Sequence, residues 1–101
     1  MNPEELYKLI KSRLGVSKIK DTTRIDNVAY LWCRAIYCRI AKDDFLFDTW
    51  EISSVIHRSS DLVNWDIRQL KRLAHESDFV SRAIVREYEK LRSEILTNKE
   101  D

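Results

Sequence analysis

Seven residues between positions 58 and 68 carry side chains that could grip or read a polyanion: Arg58, Ser59, Ser60, Asp61, Asn64, Trp65 and Arg68. Turned at about 100° per residue with Val63 at the centre of a buried side, Asp61, Trp65, Arg68 and Arg72 fall on the opposite side. Asn64 and Lys71 lie along one edge. Arginines suit guanine edges or phosphates, and an asparagine suits an adenine edge. Trp65 could pack on a thymine methyl or a sugar, while Ser59 and Ser60 offer hydroxyls and helix N-terminal amides to phosphate. Asp61 repels phosphate, so there it would accept from a cytosine amine or orient Arg58. Taken singly, each residue is equally well read as part of a solvated helix surface. Their convergence on one side is the stronger observation.

A second basic region precedes it. Between Lys8 and Arg24 the bases Lys8, Lys11, Arg13, Lys18, Lys20 and Arg24 face a single acid, Asp21. After Asp78, by contrast, Arg82, Arg86, Lys90 and Arg92 alternate with Glu87, Glu89 and Glu94, the pattern of a solvated helix face. The formal net charge is only +1, which argues against indiscriminate electrostatic coating of nucleic acid.

Other chemistry is poorly provided for. The histidines His57 and His75 are eighteen residues apart, no Cys-His-Asp grouping has ligand spacing, and no serine sits in a nucleophile motif, so neither an enzyme nor a metal or cofactor site is expected. Cys33 and Cys38 would point about 140° apart on a helix, which precludes a shared metal or disulfide and leaves two small, semi-buried thiols.

These residues must be positioned by helices. With one Gly, one Pro and no sustained apolar-polar alternation, the 101 residues read as all-α, a single domain of about five to six helices over 1–97 with a disordered tail over 98–101. Asn2 caps a first helix that starts at Pro3, carries Leu6, Leu9, Ile10 and Leu14, and ends at Gly15. A short helical turn near Ser17–Ile19 and a basic loop follow, pinned by Val16 and Ile19. Helix two spans about Asn27 to Lys42, and its Arg39 falls on the apolar face, where it would snorkel or pair with Asp43, Asp44 or Glu51. Asp48 and Glu51 have capping-box spacing ahead of a short helix, Thr49 to Ile56. His57 suits a left-handed turn position, Ser59 or Ser60 caps helix four, and helix four continues to about His75 with Val63, Ile67, Leu70 and Ala74 inward. The last helix, from about Ser77 to Thr97, uses Val80, Ala83, Ile84, Tyr88, Leu91 and Ile95. Residues Glu51 to Arg68 thus have the grammar of a helix-turn-helix, whose second helix enters a DNA major groove. No apolar run approaches the roughly 20 residues of a membrane span, and the early acids Glu4 and Glu5 are wrong for a secretory signal, so a cytoplasmic protein without membrane contact is expected.

The order of elements carries a resemblance. A first helix closed by Leu14-Gly15-Val16-Ser17, a basic loop, a long second helix and a motif opening on Glu51-Ile52 are followed by Ile67-Arg68-Gln69-Leu70, Leu73 and Glu76-Ser77. From about Leu6 to Leu91 this resembles the C-terminal DNA-binding domain (domain IV) of the bacterial replication initiator DnaA, a helical domain related to the Trp repressor. The family signature is a Gly-rich turn followed by Arg-Asp-His-Ser/Thr-Thr-Val. Aligned on Val63, Arg58 matches its arginine, whereas Ser59, Ser60, Asp61 and Leu62 replace the next four residues and His57 stands where a Gly would. The resemblance implies sequence-specific binding of double-stranded DNA, with residues 58–68 in the major groove and Lys18, Lys20 and Arg24 in the minor groove or on phosphates. No Gly-x-x-x-x-Gly-Lys-Ser/Thr loop is present, so it implies a replication- or transcription-related regulator without ATPase activity, bacterial or phage-encoded and nucleoid-associated. The altered signature leaves an alternative: a protein-interaction module on the same scaffold, which binds a partner or a second copy through Trp65.

Overall fold

The computed structural model describes residues 1–15 and 25–100, and side chains over 1–15 and 32–97. The segment holding Val16, Ile19, Lys18, Lys20 and Arg24 lies outside the described residues. Among the described residues there are five helices and no strand: α1 (Pro3–Leu14), α2 (Ile25–Asp43), α3 (Thr49–Ile56), α4 (Ser60–Leu73) and α5 (Phe79–Glu100). None is long and apolar enough to cross a membrane.

Local chemistry accounts for the boundaries. Asn2 Oδ1 accepts from the Glu5 amide at 2.8 Å and the Glu5 carboxylate accepts from the Asn2 amide at 3.2 Å, a reciprocal cap. Gly15 ends α1 at φ 71°, the left-handed conformation that costs glycine least. Glu51 closes the start of α3 by accepting from the Asp48 amide at 3.1 Å, and Asp78 opens α5 by accepting from the Ser81 amide at 3.0 Å. Hydrogen bonds from the Ser81 amide and hydroxyl, with a smaller share from its own amide, hold the Asp78 carboxyl below its ordinary range.

The core gathers one face from each helix: Leu6 and Ile10, Ile36 and Ile40, Ile52 and Ile56, Val63, Ile67 and Leu70, and Tyr88, Leu91 and Ile95. Helix α4 packs chiefly on α2 and also on α3. Tyr37 ties α2 to α1, its ring 4.8 Å from that of Tyr7 and its hydroxyl donating to the Pro3 carbonyl at 3.0 Å. Both thiols are fully buried rather than semi-buried. Arg39 pairs with Asp43 at 3.8 Å and lies 4.5 Å over the Tyr88 ring, while Asp44 is taken in a two-pronged pair by Arg92 at 2.9 Å.

Three sequence expectations change. Ala74 is exposed because α4 stops at Leu73 and Ala74 is its cap. Val80 shares the angular position of the buried Leu91, yet it is 60% exposed, and in the first turn of α5 the buried residue is Ser81 instead. The last helix also continues to Glu100, so the tail expected over 98–101 is helical backbone through residue 100.

Candidate nucleic-acid interface

Helix α4 is set against α3 by a turn of residues 57–59. His57 takes the left-handed conformation expected of it, φ 55° and ψ 44°, and its amide and that of Arg58 both return to the Ser53 carbonyl. The Ser53 hydroxyl donates to the Arg58 carbonyl, which closes the turn from the other side. Ser59 is the cap: its Oγ accepts from the Leu62 amide at 3.3 Å. Ser60 begins the helix, and both serines are exposed.

The helix then divides its residues by face. Val63, Ile67 and Leu70 are inward, as their spacing requires, and Asp61, Trp65, Arg68, Lys71 and Arg72 are exposed. Trp65 is 43% exposed, an apolar plate in the middle of a polar face. Arg68, Arg72 and Asp61 make no ion pair or hydrogen bond among the described residues, whereas Lys71 lies 3.6 Å from Asp43.

Two of the residues expected to face a ligand are engaged by the protein. Asn64 Oδ1 accepts from Lys42 Nζ at 2.9 Å, so the acceptor half of its amide is occupied. Arg58 turns inward: its Nε lies 3.3 Å from Asp66 Oδ2 and its Nη2 3.5 Å from Asp66 Oδ1. The carboxylate that orients Arg58 is therefore Asp66 and not Asp61. Asp66 is 1% exposed and also receives Arg34 of α2 at 3.4 Å. The cluster neighbours Cys38, whose thiol is pushed up to about 12, first by burial and then by Asp66, with Arg34 and Arg58 opposing.

Asp66 is the residue that sequence reasoning missed. Its signal was present, since an acid at position 66 falls about 40° from Leu70, at the edge of the apolar arc, and a buried acid requires a cation. Trp50, at the start of α3 and 66% exposed, also went unremarked. Lys18, Lys20 and Arg24 lie outside the described residues. No group of three or more His, Cys, Asp or Glu among the described residues could hold a metal ion. Comparison with family models, curated proteins and solved structures returned no match.

Proposed function

We infer that α3, the turn and α4 act as a helix-turn-helix and that this protein binds double-stranded DNA through the outward face of α4. The observation that carries the reading is the pairing of Arg68 and Arg72, exposed and without partners among the described residues, with the half-exposed Trp65 on the same face. Free guanidinium groups on a convex helix match phosphates and guanine edges, and an aromatic plate among them matches a thymine methyl or sugar. Ser59 and Ser60 bring hydroxyls to the end of the helix that favours phosphate. The DnaA-like order of elements supports the same assignment, and the near-neutral net charge suits a selective binder over one that coats DNA. Base reading would fall to Arg68, Trp65 and the amide nitrogen of Asn64, with Arg58 supporting from within.

The test is direct titration of a fluorescent random-sequence duplex at about 50 mM salt, followed by selection of bound sites from a random library. Saturable binding and a shared motif among selected duplexes are expected. Absence of duplex binding at low salt refutes the reading.

A second reading has its own support. Leu46, Trp50, Leu62, Trp65, Phe79 and Val80 are all large, apolar and exposed. A protein-interaction surface uses such residues as anchors. Under it, Trp65→Ala abolishes association with the partner, or self-association in sedimentation, and leaves the fold intact. An unaffected complex rejects it.

A further inference from the structure

Two guanidinium groups from different elements meet on one carboxylate of α4, and that carboxylate is sealed from solvent. Asp66 Oδ2 lies 3.4 Å from Arg34 Nε on α2 and 3.3 Å from Arg58 Nε in the turn, and Asp66 Oδ1 lies 3.5 Å from Arg58 Nη2. Asp66 thus ties α2, the turn and α4 at a single point.

An apolar residue there would pack against α2 without desolvating three charges. Buried ion pairs contribute little net stability compared with well-packed apolar replacements, so their use points to geometry. Arg34 Nε and Arg58 Nη2 each donate a hydrogen bond to Asp66, and such charge-assisted bonds are directional, whereas Val63, Ile67 and Leu70 tolerate small rotations. Trp65 and Arg68 flank Asp66 at one and two residues' distance, so whatever fixes the roll of α4 at Asp66 fixes where they point. At a side-chain radius of about 5–6 Å, a roll of about 20° moves a tip by about 2 Å. Recognition geometry tolerates about 0.5 Å.

We propose that Asp66, held by Arg34 and Arg58, is a positioning residue that sets the roll of α4 and so determines which base pairs its outward face reads, without itself touching DNA. This rests on the DNA-binding reading above. It assigns Arg58 to the scaffold.

The experiment measures, at fixed salt, affinity for a duplex selected by the unaltered protein and for a random-sequence duplex of equal length. For Asp66→Asn the ratio of the two affinities should fall about tenfold or more. Binding to the random duplex should stay level or rise, because a negative charge has been removed beside two arginines. A merely structural role would weaken both duplexes alike, and that result overturns the proposal. The combined variant Asp66→Leu with Arg34→Met and Arg58→Met keeps the core apolar, and decides the matter if Asp66→Asn does not fold. It should bind random duplex and lose preference, and retention of the full ratio would overturn the proposal while leaving DNA binding standing. If the unaltered protein binds neither duplex, the underlying reading falls and takes this inference with it.

Discussion

Replacing Arg68 and Arg72 together by alanine should change the salt dependence of duplex binding by a calculable amount. Both are exposed and unpaired among the described residues, so their loss should move stability by no more than about 0.5 kcal/mol. Each phosphate neutralised contributes about 0.9 to the slope of log K against log salt. If both arginines meet phosphates, the slope becomes shallower by about 1.8. Over a fourfold rise from about 50 to 200 mM salt, each such contact weakens binding about 3.5-fold and the two together about 12-fold. The advantage of the unaltered protein over the variant should therefore shrink about 12-fold across that range, read by fluorescence anisotropy. Net charge alone also weakens binding, so the control is Lys8→Ala with Lys90→Ala, an equal loss of charge from exposed sites on α1 and α5. That pair should leave the slope unchanged. Equal slopes for both double variants, or no change for Arg68 and Arg72, would refute the assignment of this face to phosphate.

Other outcomes follow from single features. Leu46 sits at φ 57° with its side chain 80% exposed, so Leu46→Gly should relieve about 1–2 kcal/mol of left-handed strain against about 0.5–1 kcal/mol of lost backbone entropy, a small net stabilisation measured by urea melts. Leu70→Ala, at a fully buried site between α4 and the core, should cost about 2–5 kcal/mol in the same assay. Cys33 and Cys38 have their thiols pushed up from 9.0 to about 12, chiefly by burial, so the fold keeps them protonated when the unfolded chain would ionise. Their stabilising share is complete below pH about 9 and is lost as pH rises towards about 12, and neither should react with a thiol reagent at pH about 8 until the protein unfolds. Asp66→Asn removes a neighbour that raises the Cys38 thiol and leaves the arginines that lower it, so Cys38 should ionise at lower pH in that variant, read by thiolate absorbance.

The helical architecture was legible because its signals are local. Asn2, Pro3 and Gly15 bracket α1, Asp48 and Glu51 open α3, and His57 takes the turn, each through contacts within a few residues. The inward face of α4 was equally legible from Val63, Ile67 and Leu70, since a helix converts spacing into direction. Ala74 and Val80 depend on where one helix ends relative to its neighbours. Spacing placed both inward, and both are exposed.

The site divides along the same line. A helical wheel separates outward from inward, but it cannot say that Lys42 would occupy Asn64 or that Arg58 would fold back on Asp66, because those partners lie on different elements or eight residues along the chain. Arg58 was chosen for the chemistry a guanidinium can perform on DNA, and the same chemistry makes it the natural partner of a buried carboxylate. Burial decides between these uses. A sealed aspartate without a cation carries a penalty larger than most single DNA contacts return, so Asp66 has the first claim on Arg58 and on Arg34. Arg68 and Arg72 meet no such demand among the described residues and stay exposed.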